Sequence, residues 1–221
     1  MAQTIKPIVL VGPMGAGKTT IGKALALRLQ GSFADMDDII VRTAHGMSIP
    51  EIFKQHGEPY FRQLEHDCLE QTLKSYAPLP NGALAAANTT AQHEAHATAP
   101  SLAHATAPSL AHAEGNELSL CILAGGGGIA MAEANRALLK EYSICLYLNL
   151  PVEQQYERVK GDTNRPMLYA PDVKERLQNL YASRDPQYRD AAATIIDAKA
   201  SISEVVNRCC QALKQLGVPL S

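Results

Sequence analysis

Apolar and polar positions alternate in two patterns along this chain. Short, nearly continuous apolar runs are each followed by a longer stretch in which apolar residues recur every three or four positions. The runs are typical of buried strands and the longer stretches of amphipathic helices. The predicted strands lie within IKPIVLVG (5–12), SFADMD (32–37), LSLCILAG (118–125), SICLYLNL (143–150) and AATIID (192–197). The predicted helices cover 17–29, a region that ends near Ser75, 131–140, 152–160, a segment from about Asp172, and the C-terminal segment.

This order of elements predicts the α/β class. Strands that are separated by helices pair in parallel, because a crossover connection must return the chain to the same end of the sheet. We expect a three-layer α/β/α sandwich with a central parallel sheet of about five strands. A length of 221 residues and an apolar content of 46% suit a single domain with one sizeable core.

One segment interrupts the alternation. From about Tyr76 to Gly115 the chain is rich in Ala, Pro, Ser, Thr and His, and it contains the octapeptide AHATAPSL twice, at 95–102 and 103–110. Its histidines would also suit a metal site, but the composition favours a disordered insertion in which they have no role. We therefore predict that removal of residues 80–113 leaves activity nearly intact.

Charge and the N-terminal segment exclude several classes of partner. The formal net charge is −2, so the chain lacks the basic excess that non-specific nucleic-acid binding requires. The first ten residues have too short an apolar run for a signal peptide, and no segment has the length of a membrane span. We expect a cytoplasmic monomer with no nucleic-acid or membrane partner. The five cysteines form no C-x-x-C pair and are interpreted as reduced, small apolar residues.

The segment GPMGAGKT (12–19) matches G-x-x-x-x-G-K-[ST] and lies between a predicted strand and a predicted helix, as this motif requires. Its glycines let backbone N–H groups turn toward phosphate, and the helix N-terminus adds partial positive charge. Lys18 is expected to reach the β- and γ-phosphates of a nucleotide, and the Thr19 hydroxyl to bind Mg²⁺. The alternative is a glycine-rich turn that binds nothing. The predicted nucleotide-binding residues of this segment are Gly12, Gly15, Ala16, Gly17, Lys18, Thr19 and Thr20.

Two aspartates end the second predicted strand in the tripeptide DMD. Residues i and i+2 of an extended strand point the same way, so Asp35 and Asp37 are expected to face the crevice beyond the strand ends. One carboxylate near the metal and one near an acceptor hydroxyl would serve phosphoryl transfer. A structural alternative is that the pair caps the next helix and adds charge to its first turn.

The segment SIPEIFKQHGEPYFRQLE (48–65) adds a specific resemblance. Together with GPMGAGKTT, FADMD, AGGGG and NRPML it resembles the shikimate kinase family, and the motifs come in the order that the family has. Members of this family are P-loop enzymes that transfer the γ-phosphoryl group of ATP to the 3-hydroxyl of shikimate. The resemblance runs from Ile5 to about the C-terminus without the insertion. It implies a P-loop kinase fold with a lid, Mg²⁺ as cofactor, and ATP and shikimate as substrates.

The resemblance also implies which residues bind shikimate. Arg62 and Arg184 would bind the substrate carboxylate, for which a guanidinium offers two parallel N–H donors. The backbone of Gly126–Gly128, called the glycine run below, would contact the substrate. Arg62 has a structural alternative as a surface arginine paired with Glu58 or Glu65. The implied substrate-binding residues are Asp37, Arg62, Gly126, Gly127, Gly128 and Arg184.

The segment GDTNRPMLYAPD (161–172) lies between two predicted helices. It suits a lid that closes on the phosphates and excludes water. Arg165 within it would stabilise charge on the transferred group, as the family's lid arginine does. The family's adenine-stacking arginine maps onto Arg158, for which a solvated helix position is the alternative.

The implied mechanism divides the work among five side chains. Asp37 orients the acceptor hydroxyl, while Lys18 and Arg165 offset charge on the transferred phosphoryl group. Thr19 and Asp35 contact Mg²⁺. Two rival functions are another small-molecule P-loop kinase, such as a gluconate kinase, and a catalytically inactive nucleotide-dependent regulator.

Overall fold

The computed structural model describes residues 6–76, 120–160 and 172–220. In these ranges the chain forms five strands and seven helices. The strands are β1 (Ile8–Val11), β2 (Ser32–Asp35), β3 (Cys121–Ala124), β4 (Ile144–Asn149) and β5 (Thr194–Asp197). The helices are α1 (Lys18–Arg28), α2 (Met36–Thr43), α3 (Ile49–Ser75), α4 (Glu133–Tyr142), α5 (Val152–Val159), α6 (Val173–Ala191) and α7 (Ile202–Gln215).

The strands form one parallel sheet in the order β2-β3-β1-β4-β5. Within it β1 is central, because Leu10 lies opposite Ala124 of β3 and Leu146 of β4. The carboxyl ends of parallel strands lie at one edge of a sheet, and ligands bind in the crevice beyond that edge. The segments that follow β1, β2 and β3 therefore meet at the same edge.

Two apolar cores cover the two faces of the sheet. Val9 and Val11 of β1 pack into one core with α2, α3, α4 and α6. Ile8 and Leu10 pack into the other core with α1 and α7. Since successive residues of a strand point to opposite faces and both faces are covered, the whole of β1 is buried. The predicted α/β/α sandwich with a parallel five-stranded sheet is confirmed.

The helix bounds predicted at 17–29, 131–140 and 152–160 differ from those of α1, α4 and α5 by two residues or fewer. The predicted strand SFADMD is wrong at its last two residues, because β2 ends at Asp35 and α2 begins at Met36. The cause is local: the Asp35 side chain accepts a hydrogen bond from the Asp37 N–H at 3.1 Å and caps α2.

The helix that precedes the insertion is bent. The Glu51 carboxylate accepts a bond from the Ser48 N–H at 2.9 Å, which marks the start of α3. Gly57 then departs from helical geometry with φ of +81°, a left-handed value that favours glycine, and Pro59 follows at the start of the second half. The bend sets the direction of the second half, which contains Arg62.

The described residues bear on the predictions for the cysteines and for membrane-spanning segments. Cys68, Cys121, Cys145 and Cys209 are buried and free, as their interpretation as small apolar residues requires. Burial raises the pKa of the Cys145 thiol to about 12. Among the described helices, none combines the length and the apolar character of a membrane span.

Two predicted segments lie outside the described residues. They are the insertion at about 76–115, apart from Tyr76, and the lid at about 161–172 with Arg165, apart from Asp172. Their roles stay predictions.

Candidate active site

The segments that follow β1, β2, β3 and β5 line one cleft of about 930 Å³, together with parts of α3, α5, α6 and α7. Most of the residues that the sequence singles out lie in it. Gly12 and Ala16 are buried and do not line the cleft, and Arg165 lies outside the described residues. The predicted residues that line it are Gly15, Gly17, Lys18, Thr19, Thr20, Asp35, Asp37, Arg62, Gly126, Gly127, Gly128, Arg158 and Arg184.

The segment at 12–19, which is predicted to bind phosphate and is called the phosphate loop below, depends on glycines for its conformation. Gly15 and Gly17 have φ of +76° and +86°, which an L-residue with a side chain rarely adopts. At Gly12 a Cβ atom would lie 2.6 Å from the Leu148 carbonyl oxygen, so a larger residue would push the loop off β4. Lys18 Nζ donates to the carbonyl oxygens of Gly12 and Pro13, at 2.9 and 3.0 Å. These bonds hold the ammonium group against the backbone of the loop.

Thr19 and Asp35 form an oxygen pair beside the phosphate loop. The Thr19 hydroxyl donates to Asp35 Oδ2 at 2.8 Å, while Asp35 Oδ1 caps α2. Among the described residues no three His, Cys, Asp or Glu side chains gather into a metal site. A hydroxyl and a carboxylate still fit Mg²⁺, which prefers oxygen ligands and takes the rest of its shell from phosphates and water.

Asp37 reaches the cleft from the first turn of α2. Strand alternation does not place it there, since β2 ends two residues earlier, so that argument was wrong. The capping alternative describes the local structure correctly. Asp37 nevertheless faces the glycine run after β3: a Cβ atom on Gly126 would lie 3.3 Å from Asp37 Oδ1. One aspartate thus caps the helix and its neighbour faces the cleft.

Arg62 fits both interpretations that the sequence allowed. Its Nη1 donates to Glu65 Oε2 at 2.9 Å, and its Nη2 donates to Glu58 Oε1 at 3.1 Å, as the helical spacing predicted. The same guanidinium lies against the glycine run, because a Cβ atom on Gly128 would be only 2.3 Å from Nη1. The two glutamates therefore hold Arg62 at the cleft.

Glu65 is a cleft residue that sequence reasoning treated only as a surface partner of Arg62. Its side chain is 3% exposed and lies beside the glycine run, with Oε1 3.1 Å from a Cβ atom on Gly126. Burial raises the pKa of the Glu65 carboxyl, against the opposing hydrogen bond from Arg62, and the nearby Asp37 carboxylate raises it further. Its position one turn after Arg62, an arginine predicted to bind the substrate, was the signal that could have indicated it.

The glycine run itself makes room for charged side chains. Its residues Gly126–Gly128 have no left-handed φ, so the need for glycine here is steric. An added Cβ atom on Gly126 would meet Glu65 and Asp37, and one on Gly128 would meet Arg62. In the described part of the chain, the hydrogen bonds of the run include no donation from the N–H groups of these three residues. Gly127 and Gly128 are partly exposed and line the cleft.

Two residues of α6 contact the glycine run from the core that α6 forms with α2, α3 and α4. The Gly127 carbonyl oxygen accepts a hydrogen bond from Arg184 Nη1 at 3.4 Å and one from the Tyr188 hydroxyl. Tyr188 is buried, whereas Arg184 is partly exposed and lines the cleft. Sequence reasoning missed Tyr188, because a tyrosine one turn after an arginine is equally typical of a core position.

Arg158 connects the phosphate loop to the segment after β5. Its Nη1 donates to the Gly15 carbonyl oxygen at 3.1 Å, and its Nη2 donates to the Ala198 carbonyl oxygen at 3.0 Å. Arg158 is exposed, as the solvated alternative expects, but its guanidinium is also held by these two backbone contacts. Stacking on adenine stays a prediction.

A family model described as shikimate kinase matches residues 14–87 and 111–214. The chain belongs to the shikimate kinase family. Curated shikimate kinases are similar over most of their length. That of Aromatoleum aromaticum is 36% identical over 191 residues, 86% of this chain and 83% of the relative. That of Marinomonas sp. is 33% identical over 209 residues, 94% of this chain and 92% of the relative.

Solved structures agree with the family assignment. A shikimate kinase from Acinetobacter baumannii in complex with shikimate is 29% identical, with a TM-score of 0.72 over 98% of this chain and 97% of that one. A gluconokinase from Sinorhizobium meliloti is 15% identical with a TM-score of 0.51, a likeness that shows the fold alone. The shikimate kinase family consists of ATP-dependent kinases, so the chain is an enzyme of this class, and such kinases use a divalent metal.

Proposed function

We propose that this chain transfers the γ-phosphoryl group of ATP to the 3-hydroxyl of shikimate, giving shikimate 3-phosphate and ADP. The observation that carries the proposal is a single cleft with two chemically different halves. One half is the phosphate loop with Lys18. The other combines a carboxylate, two arginines and a glycine run, which suits a small ring with a hydroxyl at one end and a carboxylate at the other.

Asp37 is the residue for the acceptor end. It is exposed to the cleft and faces the glycine run. In the proposed reaction the substrate hydroxyl oxygen bonds to the γ-phosphorus, the bond to the β,γ-bridging oxygen breaks, and the hydroxyl proton passes to the Asp37 carboxylate. Lys18 offsets the charge that develops on the transferred group.

Arg62 and Arg184 are the residues for the carboxylate end. Arg62 uses three donor contacts to Glu58 and Glu65, and a guanidinium has more N–H groups than these. Arg184 contacts the Gly127 carbonyl oxygen only at 3.4 Å, which is a weak hydrogen bond. Its guanidinium can therefore turn toward a substrate carboxylate with little loss of free energy. The Gly126–Gly128 N–H groups add donors for the same end.

Thr19 and Asp35 would hold Mg²⁺ beside the phosphates of ATP. When bound, the ion would neutralise charge on the β- and γ-phosphates. Arg165 would add a further positive charge from the lid.

The protein acts as a cytoplasmic monomer. One chain supplies both halves of the cleft, and five free cysteines suit a reducing compartment in which ATP is available. A sedimentation mass of one chain would support the first point, and cell fractionation addresses the second.

Release of ADP from the purified full chain, coupled to NADH oxidation, tests the proposed reaction with shikimate, with gluconate, and with neither. Shikimate-dependent ADP formation, with shikimate 3-phosphate identified by mass spectrometry, is the expected result. Gluconate-dependent formation would support the rival kinase, and no acceptor-dependent formation would support an inactive regulator. Either result refutes the proposal.

Asp37→Asn is expected to lose turnover while ATP still binds. Asp38→Asn is the matched control, since Asp38 is an exposed aspartate in the same helical turn and does not line the cleft. Normal turnover of Asp37→Asn, or equal losses in both variants, would remove Asp37 from the mechanism.

A further inference from the structure

We infer that Tyr188 is a positioning residue for substrate binding: its hydroxyl fixes the Gly127 peptide group and thereby orients the Gly128 N–H and the Arg184 guanidinium. The inference rests on the proposed function, in which these groups receive the substrate carboxylate. Tyr188 itself lies beneath the run and does not line the cleft. Its effect on the substrate would be exerted through its neighbours.

The first observation is that α6 contacts one carbonyl oxygen with two donors. Arg184 and Tyr188 are four residues apart, so they lie on the same face of α6. Both donate to the Gly127 carbonyl oxygen, Arg184 at 3.4 Å and Tyr188 by the shorter bond. Because the arginine contact is long, the tyrosine bond is the one that fixes the oxygen.

The second observation concerns the peptide group between Gly127 and Gly128. The carbonyl of Gly127 and the N–H of Gly128 belong to one planar trans unit and point in opposite directions. Glycine restricts rotation of such a unit less than any other residue. A hydrogen bond that fixes the Gly127 oxygen toward α6 therefore also fixes the Gly128 N–H, at a residue that lies against Arg62.

The third observation is that Tyr188 cannot easily move. The side chain is 1% exposed, and its ring centroid lies 5.2 Å from that of Tyr147, which is fully buried. The Tyr147 hydroxyl is 2.8 Å from Asp185 Oδ1. Burial raises the pKa of Tyr188 to about 12, so its hydroxyl keeps its proton and stays a donor at neutral pH.

Tyr188→Phe tests the inference, since it removes only the hydroxyl. We expect the KM for shikimate to rise about 3- to 10-fold, while kcat and the KM for ATP change less than about twofold, because one hydrogen bond near the carboxylate end is lost. Tyr147→Phe is the matched control: it also removes a buried, hydrogen-bonded hydroxyl, but that hydroxyl contacts Asp185 and Asn149 and leaves the Gly127 oxygen untouched. Both variants are expected to lower Tm, and only Tyr188→Phe to raise the KM for shikimate.

A double-mutant cycle separates positioning from a general loss of packing. If Tyr188 acts through Arg184 and the Gly127 peptide, Tyr188→Phe has a smaller effect on the KM for shikimate in an Arg184→Ala background than in the wild type. An unchanged KM in Tyr188→Phe, or equal increases in Tyr188→Phe and Tyr147→Phe, would overturn this inference alone. A wild-type enzyme without shikimate-dependent ADP formation would overturn the proposed function and this inference with it.

Discussion

Gly128→Ala is expected to impair substrate binding more strongly than folding. The added Cβ atom would lie 2.3 Å from Arg62 Nη1, 2.9 Å from Cζ and 3.0 Å from Nη2. Non-bonded carbon and nitrogen atoms need about 3.5 Å, so the guanidinium must withdraw by about 1 Å. At Gly127 the nearest side-chain atom to an added Cβ is Arg184 Nη1 at 4.0 Å, so Gly127→Ala is expected to have the smaller effect.

The cost of this displacement can be worked out from the bonds that hold Arg62. Its pair with Glu58 is exposed and contributes at most about 1 kcal/mol. Its bond to the buried Glu65 is charge-assisted and contributes about 1.5–3 kcal/mol, part of which survives a small shift of a flexible side chain. We therefore expect a loss of about 1–2 kcal/mol in the free energy of unfolding, with the fold retained. A misplacement of about 1 Å at the carboxylate end should raise the KM for shikimate about 10- to 100-fold.

Steady-state kinetics with each substrate varied in turn, together with thermal unfolding, measure both effects. The KM for ATP should change little, because the phosphate loop lies in the other half of the cleft. In an Arg62→Ala background Gly128→Ala should add almost nothing, since no guanidinium is left to displace. A wild-type KM for shikimate in Gly128→Ala, or a full additional effect in the Arg62→Ala background, would refute the steric reasoning.

Three further predictions address the nucleotide half, the insertion and the acid stability. Arg158→Ala removes the bonds to Gly15 and Ala198 and should raise the KM for ATP about tenfold with the KM for shikimate unchanged; an unaffected KM for ATP would contradict it. Deletion of residues 80–113 should leave kcat within about twofold of wild type, and a large loss of turnover in that variant would show that the insertion has a role. Burial acts to raise the pKa of Asp185, but hydrogen bonds from Arg189 and Tyr147 outweigh it and hold the pKa below its usual value. The ionised Asp185 therefore stabilises the fold above about pH 4, and this contribution is lost as the pH falls through the lowered pKa. Asp185→Asn should make Tm decline less steeply with falling pH below about pH 4. An equally steep decline of Tm in the variant and the wild type would show that Asp185 does not cause it.

Much of the fold could be predicted from the sequence because the signals are local. A buried parallel strand is apolar at every position, and an amphipathic helix repeats its apolar residues every three or four positions, so β1 and α5 are visible without any tertiary contact. The error at Met36 and Asp37 has a local cause as well. The tripeptide DMD satisfies both strand alternation and helix capping, and the Asp35 side chain decides in favour of the cap.

Some features of the candidate site could likewise be predicted from residues close in sequence, and others depend on residues that are far apart in sequence. Helical spacing offered a pair of Arg62 with Glu58 or Glu65 as the structural alternative, and Arg62 pairs with both. Spacing alone could not show that this pair faces a cleft, because that depends on the bend of α3 at Gly57 and on the packing of α3 against the sheet. Glu65 is buried for the same reason, so its raised pKa could not be predicted from its neighbours in sequence.

The sequence by itself determined one half of the cleft, the phosphate loop with Lys18. The predicted phosphate-binding site at Gly12–Thr19 needs only a strand, a loop and a helix N-terminus that follow one another directly in the chain. Only the tertiary structure decided how the acceptor half is assembled. Arg62, Gly127 and Tyr188 come from three distant segments, and their contacts exist because the parallel order β2-β3-β1 brings the ends of those strands, with α3 and α6, to one edge of the sheet.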